Sequence, residues 1–465
     1  MMARTSLFLA MAGALVLCGC IKGPNYSRPK VDVPDAYHGP DNAAPAAAAE
    51  SLGNAKWWTV FEDRELQKLI RVALEQNFDV RIAATRVLQA RESVAIARSN
   101  QYPTLAGGVL VTGQRTPGSG GAATYNIPEL GVSGSWDIDF WGKYRRLTEA
   151  ARAELMATEW GRRAVVESLV SGVASAYFDL RELDLELEIS RRTLASREDS
   201  LQLTRTLVDG GAAPLSDQRQ AEQLVETAAA AIPDLERAIA QQENAINILL
   251  GRNPGVAIAR GLSLSDQPIP QVPPAGIPSA LLARRPDIGQ AEQNLIAANA
   301  RIGVARAAFF PDISLTGIGG IASGSLTTLF QGASRAWNYT ASAMEPIFTK
   351  GRLDANLRLV EAQHEEALLQ YQQAIQQSFR DVSDALIAYQ KLHEFRAHRE
   401  KLLDAARDAS QLSRVRYQGG ATSYLEVLTN ETNYFSAELG AAGAILRERL
   451  SLVQLYSALG GGWDQ

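Results

Sequence analysis

Apolar residues recur at a strict seven-residue spacing through residues 142–209, a stretch without proline. The recurring positions are Val166, Val173, Leu180, Leu187, Leu194, Leu201 and Val208. Such a repeat is typical of a coiled-coil seam, along which one helix packs against another. At 1.5 Å per residue this stretch would extend about 100 Å. The pattern therefore predicts one very long helix.

A shorter helix is predicted to follow it after a sharp turn. Gly210 and Gly211 break the first helix, and Pro214 stands at an early helical position that proline favours. Residues 214–250 continue the seven-residue spacing, and Pro233 should kink this second helix. Its spaced apolar residues are Val225, Ile232, Ile239 and Ile246. The two helices form a predicted hairpin with the glycine pair at its tip.

Two other stretches alternate between apolar and polar residues, which is the pattern of a strand with two different faces. In residues 130–140 the apolar set is Val132, Gly134, Trp136, Ile138 and Phe140, and the polar set is Ser133, Ser135, Asp137 and Asp139. In residues 337–348, Trp337, Tyr339, Ala341 and Ala343 alternate with Asn338, Thr340 and Ser342. Apolar-out, polar-in alternation is typical of membrane barrel strands, although a half-buried soluble sheet alternates in the same way. On the barrel interpretation, Asp137 and Asp139 face the lumen, and the aromatic residues at the strand ends suit a membrane girdle.

The chain contains an internal repeat. Residues 79–105 align with 287–313 at a constant offset of 208, and after one inserted residue the alignment continues at an offset of 209. The aligned glycines are Gly142 with Gly351, Gly210 with Gly419, Gly211 with Gly420, and Gly251 with Gly460. Chance rarely keeps glycines in phase over more than a hundred residues, so the pattern indicates a duplicated structural unit.

The repeat sets the predicted domain boundaries. We expect a signal peptide at 1–19, a lipid-anchored N-terminal segment with part of an equatorial region at 20–64, a proline-rich equatorial linker at 252–286 and a tail at 461–465. The first repeat, 65–251, is predicted to contain a helix to about residue 100, strands at 104–114 and 130–140, a long helix at 142–209 and a helix at 214–250. The second repeat, 287–460, is predicted to contain a helix, strands at 312–322 and 337–348, a long helix at 351–418 and a helix at 422–459.

Four predicted strands per chain are too few to close a barrel. The sequence has no run of eighteen apolar residues, so we expect membrane contact from the strands, from a lipid anchor, or from both. Because open strand edges are not tolerated in lipid, several copies must combine. Two copies would give eight strands with a filled interior, and three would give twelve strands with room for a lumen. If the strands span the membrane, a trimeric conduit follows.

The N-terminus indicates where the protein is sent. A short apolar stretch at residues 7–17 leads into Cys18, Gly19 and Cys20, which is the pattern of a signal peptide. Leu17-Cys18-Gly19-Cys20 resembles a bacterial lipobox, with cleavage before Cys20. We therefore expect Cys20 to be acylated, with palmitate as one attached chain, in a lipoprotein of the outer membrane. An ordinary secretory signal with incidental cysteines is the alternative.

Composition removes several classes of function. With 46 basic and 51 acidic residues, the chain has no electrostatic reason to bind nucleic acid. Two cysteines exclude a disulfide scaffold and a cysteine-based zinc cluster, and the four histidines form no H-x-x-x-H pair. The glycine-rich residues 118–121 lack the strand-to-helix context of a phosphate loop. We predict no catalytic, cofactor-binding or metal-ligating site, and no enzyme.

The chain resembles the TolC-like outer-membrane factors, specifically the lipidated branch found with drug-efflux pumps, over nearly all of the mature protein. Two stretches carry the resemblance. One runs from Trp57-Trp58 through Phe61 and Asp63 to Asn77. The more specific one begins Pro278-Ser279-Ala280-Leu281-Leu282-Ala283-Arg284-Arg285-Pro286-Asp287-Ile288 and ends Phe309-Phe310-Pro311. The resemblance implies a mainly α fold with a membrane β-barrel. Three chains of four strands each would form a 12-stranded barrel on a long periplasmic α-helical coiled-coil barrel.

The same resemblance implies the outer-membrane exit duct of a tripartite efflux system for drugs or other small molecules, of the kind that gives multidrug resistance. The implied partners are two further copies of the chain, a periplasmic adaptor, an inner-membrane transporter expected to be proton-driven, and outer-membrane lipid. Two alternatives remain at this point: a type I protein-secretion conduit of the same fold, and a non-conducting coiled-coil scaffold lipoprotein. The lipobox argues against the first, and the alternating strands argue against the second.

The resemblance also implies site residues. The adaptor-facing tips comprise Arg205, Gly210, Gly211 and Ser216 in the first repeat and Arg414, Gly419, Gly420 and Ser423 in the second. A gate at the periplasmic entrance is assigned to Tyr417, Leu425, Glu426 and Thr429. Leu425 would form an apolar ring, Glu426 an acidic ring, and Tyr417 a tie between neighbouring helices in the closed state. Thr429 replaces an aspartate common in the family, so we do not expect a second acidic ring.

Overall fold

The computed structural model describes residues 21–34, 37–38, 51–117, 121–268 and 278–463. The chain divides into two compact units. The sheet unit comprises Met1–Val31, Arg86–Glu159 and Gln290–Gln373, and the helical unit comprises Asp32–Thr85, Trp160–Gly289 and Ala374–Gln465. Each unit takes segments from both sequence repeats, so the compact units and the repeats are different divisions of the chain.

Seven helices of more than ten residues make up most of the described chain. They are α1 (Arg64–Gln76), α2 (Phe78–Ser99), α3 (Lys143–Asp209), α4 (Leu215–Leu249), α5 (Pro286–Ala307), α6 (Arg352–Gln418) and α7 (Tyr424–Ala458). Short helical turns lie at Trp57–Val60 and Leu281–Arg284. Helices α3 and α6 have 67 residues each, and α4 and α7 have 35 each. Among the described helices, none is both long enough and apolar enough to cross a bilayer.

The helices repeat at the offsets found in the sequence. Helices α6 and α7 begin and end 209 residues after α3 and α4, and α5 begins and ends 208 residues after α2. Aligned glycines also share their backbone conformation, with φ of +80° at Gly142 and +79° at Gly351, and of +71° at Gly251 and +73° at Gly460. These angles lie in the left-handed region that glycine adopts without steric cost. Both sequence repeats therefore need glycine at the equivalent positions.

The strands form one antiparallel sheet in chain order. Strand β1 (Thr104–Thr116) pairs with β2 (Ala123–Ile138), β2 with β3 (Asp312–Ala322), and β3 with β4 (Arg335–Met344). Within the described part of the chain, the outer edges of β1 and β4 have no partner strand. Unpaired edges of this kind need another strand beside them if they are to lie in a membrane.

The register separates the sheet into two faces, because side chains alternate along each strand. The apolar face includes Leu105, Val109, Val132, Trp136, Leu315, Trp337 and Tyr339. The polar face includes Thr104, Ser133, Ser135, Asp137, Ser314, Thr316, Asn338 and Thr340. In the single chain, Leu105 is 77% exposed and Trp337 is 76% exposed. Large exposed side chains on one face are what lipid-facing strands require.

The core of the helical unit forms around α1. Its buried residues Leu66, Ile70 and Ala73 belong to one apolar cluster with residues of α3, α4 and α7. Those partners include Tyr177, Phe178, Leu180, Ile246, Leu452, Leu455 and Tyr456. Each fully buried large apolar side chain contributes about 1.5–3 kcal/mol, so this cluster is a main source of the unit's stability.

Asp63 is a buried polar centre within this core, with 1% of its surface exposed. Its carboxylate accepts hydrogen bonds from the Glu65 amide (2.8 Å), the Tyr177 hydroxyl (3.0 Å), the Leu262 amide (2.9 Å) and the Gln267 side-chain amide (2.7 Å). These donors offset the cost of removing a carboxylate from water. Asp63 thereby joins the start of α1 to α3 and to the linker after α4.

In the sheet unit, the N-terminal segment is held by side chains from elsewhere in the sequence. The buried Arg146 donates to the carbonyl oxygens of Lys22 and Gly23 (both 3.2 Å) and to Oδ1 of Asn25 (2.8 Å). The Lys22 ammonium lies 4.5 Å from the Phe310 ring centroid. Residues 22–25 are therefore fixed without forming a helix or strand of their own.

Three element predictions need correction. The helix expected from residue 65 to about 100 is two helices, because Asn77 leaves the helical conformation (ψ 134°) and its side-chain oxygen caps α2 by accepting from the Asp79 amide at 2.7 Å. Strand β2 begins at Ala123, seven residues before the predicted start at 130. Strand β4 spans Arg335–Met344, whereas the sequence predicted 337–348. Helix α4 continues through Pro233 to Leu249.

Candidate functional site

The two hairpin tips end their long helices with the same hydrogen bonds. In the first tip, the Gly211 and Ala212 amides donate to the carbonyls of Val208 and Leu207 at 2.9 and 2.7 Å. In the second tip, the Gly420 and Ala421 amides donate to the carbonyls of Tyr417 and Arg416 at 2.9 and 2.8 Å. This pattern is the Schellman helix end, which needs a left-handed residue. Both Gly211 and Gly420 supply it with φ of +71°.

Both tips are open to other molecules. A Cβ added at Gly211 or Gly420 would meet no atom of the described chain within 4 Å. Ser423 precedes α7 without a side-chain cap, and the Ser216 hydroxyl donates a long hydrogen bond (3.4 Å) to its neighbour Asp217. The tip residues predicted from the sequence therefore lie at the exposed ends of two geometrically equivalent turns.

Each hairpin carries an arginine–glutamate pair just behind its tip. Arg205 lies 3.5 Å from Glu222, and Arg414 donates to Glu431 at 2.7 Å. The two pairs are equivalent at the offset of 209 but differ in burial. Glu222 keeps 26% of its side chain exposed, whereas Glu431 keeps 2%. Arg414 also donates to the Ser196 hydroxyl of α3 at 2.8 Å, so the second pair links the two hairpins.

Tyr417 makes a second link between the hairpins. Its hydroxyl donates to Asp217 of α4 at 3.4 Å, and its ring meets the ring of Tyr424 edge-on at 5.2 Å. Burial, followed by the charge of Asp217, raises the pKa of Tyr417 to about 12. The hydroxyl therefore stays protonated and able to donate at physiological pH.

The other predicted gate residues lie on the first turns of α7. Leu425 is 58% exposed, and Thr429 donates from its hydroxyl to the Leu425 carbonyl at 2.8 Å. Glu426 has partners in the single chain, since Arg416 donates to it at 3.1 Å and the Thr422 hydroxyl donates to its other oxygen. An acidic ring at this position would accordingly be accompanied by arginines.

The two predicted lumen carboxylates differ in position. Asp137 lies on the polar face of β2 and accepts a hydrogen bond from the Tyr144 hydroxyl at 2.9 Å. Asp139 lies beyond the end of β2 at Ile138, so its placement in the strand was wrong. Its carboxylate accepts from the Tyr144 and Arg145 amides at 3.0 and 2.8 Å and so caps the start of α3.

The hydrogen-bond partners of the gate residues were missed in the sequence, among them the charged residues Asp217 and Arg416. Asp217 aligns with Glu426 at the offset of 209, so the repeat itself carried a signal that an acidic residue occurs after each turn. The pairing of Arg416 with Glu426 depends on the turn bringing residues ten apart together, which no local pattern records. The Glu222 and Glu431 partners of Arg205 and Arg414 also align at 209 and were detectable in the same way.

Two further expectations concern acylation and metals. Cys20 and the signal peptide at 1–19 lie outside the described residues, so the acylation site stays a prediction. Among the residues that the structure does describe, no group of three or more His, Cys, Asp or Glu side chains is arranged to hold a metal ion.

Comparison with known sequences identifies the family. The sequence profile described as "Outer membrane efflux protein" matches residues 69–252 and 277–461, one match in each repeat. The chain belongs to this family.

Individual relatives are similar to this chain over nearly its full length. "Cation efflux system protein CusC" of Escherichia coli is 36% identical over 97% of this chain and 98% of its own. "Toluene efflux pump outer membrane protein TtgC" of Pseudomonas putida is 35% identical over 99% of this chain and 96% of its own. The solved structure of the MtrE outer membrane channel of Neisseria gonorrhoeae, in its open state, superposes with a TM-score of 0.86 at 34% identity, covering 96% of this chain and 99% of that one.

These relationships establish the fold and function of this outer membrane efflux protein. The fold is that of one protomer of a trimeric TolC-like channel, mainly helical with a four-stranded membrane sheet. The function is that of the outer-membrane exit duct of a tripartite efflux system. The expectation of an efflux duct is confirmed over the secretion conduit and the scaffold lipoprotein. The family and the relatives are channel proteins.

Proposed function

We propose that the two tips bind a periplasmic adaptor protein, through which an inner-membrane transporter, expected to be proton-driven, delivers solutes to the duct. The observation that carries this proposal is the shared geometry of the tips, with equivalent exposed turns at Gly211 and Gly420. Equivalent tips from three chains would offer a ring of repeated sites, and grooves between helix pairs suit a partner's helices.

The adaptor proposal is tested by bulky substitution at the tips. Gly211→Trp and Gly420→Trp should lower both drug resistance and adaptor crosslinking while leaving the trimer in the outer membrane. Gly172→Ala, within α3 and far from either turn in sequence, serves as the control. A tip variant with normal resistance and normal crosslinking would contradict the proposal.

We also propose that the tips close the duct when no adaptor is bound, with Tyr417 as the tie and Leu425 as the apolar constriction. The contact between Tyr417 of α6 and Asp217 of α4 supports this, because the two hairpins cannot separate without breaking it. The Glu426–Arg416 pair leaves little net charge at this level, so we assign Glu426 and Thr429 to the rim of the gate without a strong charge preference.

The gate proposal is tested in cells that lack the adaptor. Tyr417→Phe keeps the ring but removes the hydrogen bond, and Leu425→Ala removes the constriction. Both should increase killing by a large hydrophilic antibiotic that normally stays outside, with Gly172→Ala, which lies outside the gate, as the control. Unchanged antibiotic sensitivity in both gate variants would exclude this gate.

Cys20 is proposed as the lipid-anchored residue of the mature chain. The support is the lipobox and the fixed position of the residues that follow it, where the Lys22 amide donates to the Trp141 carbonyl at 3.1 Å. Cys20→Ala should abolish labelling with radioactive palmitate and leave part of the trimer in the outer membrane. Unchanged labelling of this variant would refute the assignment.

The transported solutes are proposed to be small molecules chosen by the transporter. One relative is named for cation efflux and another for toluene efflux at nearly equal identity. Related ducts thus serve very different solutes, so the transporter is expected to make most of the selection. Exchange of the transporter while the duct is kept should therefore change the resistance spectrum of the cells.

A further inference from the structure

The charged residues of the sheet divide by sign between its two faces. The register places Glu129, Asp137 and Asp312 on the polar face and Arg115 and Arg335 on the apolar face. In the four described strands, no basic residue lies on the polar face and no acidic residue lies on the apolar face. The polar face of a membrane barrel faces the lumen, so the strand charges that face the lumen are all negative.

Glu129 differs from the other two carboxylates. Asp137 accepts from the Tyr144 hydroxyl at 2.9 Å, and Asp312 pairs with the Lys143 ammonium at 3.3 Å, both close to the end of the sheet where α3 begins. Glu129 lies eight residues before Asp137 in β2, about 26 Å farther from this end at 3.3 Å per residue. Among the described residues it has no hydrogen-bond or ion-pair partner. Its charge is therefore uncompensated within the described part of the chain.

One row of the polar face next to Glu129 lacks bulky side chains. One cross-strand row consists of Gly108, Gly131, Gly320 and Ala336. Gly320 cannot be replaced without a backbone shift, because a Cβ there would overlap the Leu130 carbonyl oxygen. A groove of about 290 Å³ lies over this row, with Glu129 among its lining residues. Solutes can thus approach Glu129 closely.

We propose that Glu129 sets a cation preference in the part of the duct furthest from the helices. This rests on the chain's function as an exit duct. Three copies would place three such carboxylates around one axis. Because salt screens charges beyond about 8 Å, the preference acts on cationic small molecules that pass close to the wall, where the groove admits them. Anionic solutes are disfavoured at the same place.

The experiment uses a reporter cysteine beside Glu129. Leu110 lies directly opposite Glu129 in the register, so Leu110→Cys places a thiol on the same face. The purified trimer, reconstituted in lipid, is treated with water-soluble methanethiosulfonates that differ only in carrying a cationic or an anionic group. The cationic reagent should react faster, and Glu129→Gln should reduce the ratio of the two rates about threefold, the size expected for one charge at about 7 Å in salt water. Glu129→Asp should preserve the ratio.

A neighbouring position on the opposite face provides the control. Leu130→Cys should be unreactive with both reagents, because Leu130 follows Glu129 and faces lipid. A rate ratio that does not depend on Glu129, or equal reactivity of the thiols at positions 110 and 130, would overturn the proposal. Labelling requires no transport, so the effect of Glu129 on the rate ratio is measured separately from the ability of the chain to support efflux.

A second pair of variants places a bulky side chain on either face of the sheet, to test whether the groove lies in the lumen. A Cβ at Gly107 or Gly108 meets no described atom within 4 Å, but the two residues lie on opposite faces. Gly108→Trp should fill the groove and reduce both the conductance and the rate of modification of Leu110→Cys. Gly107→Trp should change neither. Equal effects of the two tryptophans would contradict the placement of the groove in the lumen.

Discussion

The pairs Arg205–Glu222 and Arg414–Glu431 occupy equivalent positions in two different environments. Removing the guanidinium with Arg414→Met leaves the nearly buried Glu431 carboxylate without its closest cation. We expect a loss of about 2 kcal/mol, less than the 3–5 kcal/mol of a fully buried pair, because Arg414 is 39% exposed and Arg197 also attracts Glu431. The urea midpoint of the trimer checks this.

The equivalent change in the first hairpin is the matched control. Arg205→Met should leave the urea midpoint unchanged, because that pair is exposed and screened by water. Equal effects of the two substitutions would mean that burial of Glu431 does not determine the strength of the pair.

Glu167 of α3 gives a pH dependence of stability. Burial, only partly opposed by a hydrogen bond from Ser457, raises the pKa of Glu167 to about 7. The folded state thus holds this proton more tightly than the unfolded state, whose pKa is near 4.5. Protonated Glu167 therefore adds to the free energy of unfolding. This contribution is complete below about pH 4.5 and is lost as pH rises to about 7.

Glu167→Gln keeps the shape of the side chain and removes its titration. We expect the substitution to stabilise the fold by about 2 kcal/mol at pH 8 and to have little effect at pH 4.5. Thermal unfolding of both proteins at the two pH values measures this. A stabilisation that is the same at both values would show that Glu167 is not the titrating group.

At the residue scale, the positions of functional residues were more predictable from the sequence than the partners of their side chains. The repeat aligned Arg205 with Arg414, but the burial of Glu431 depends on how α6, α7 and α3 pack. In the same way, Asp139 continued the alternation of β2 and was placed in the strand, although it caps α3. A capping carboxylate and a lumen carboxylate look alike in sequence, because both continue the apolar–polar alternation of the strand.

Among the elements, the tip turns depend on a single left-handed residue each. Gly420→Ala forces a side chain to φ near +71° and should cost about 1–2 kcal/mol, with local fraying of α6. Gly419→Ala has ordinary van der Waals contacts and no positive φ, so it should be close to neutral. Hydrogen exchange at the ends of α6 and α7 distinguishes the two. Equal exchange in both variants would contradict the requirement for glycine at 420.

The long elements were predictable because their patterns are strong. The seven-residue repeat has no competing interpretation over 67 residues, and the glycine pairs mark its end. The break at Asn77 was missed because helix-forming residues continue on both sides of it. The start of β2 was missed because residues 123–129 contain Asn126 and Pro128, which suggest a loop. In the structure Pro128 lies opposite Val111 and is tolerated in the strand.

For the whole molecule, the unpaired edges of β1 and β4 are the feature that demands other copies. A four-stranded sheet with an exposed apolar face and two open edges cannot be stable in lipid as a single chain. Pairing β4 of one copy with β1 of the next satisfies both edges, and three copies close a twelve-stranded ring that leaves a lumen.

The most direct test of this account is single-channel recording from purified protein in planar bilayers. The trimer should give discrete unitary currents, which Leu425→Ala increases by widening the entrance. Trimers that insert into the bilayer but carry no unitary current, in the wild type and in Leu425→Ala alike, would contradict the conclusion that this protein is a conduit.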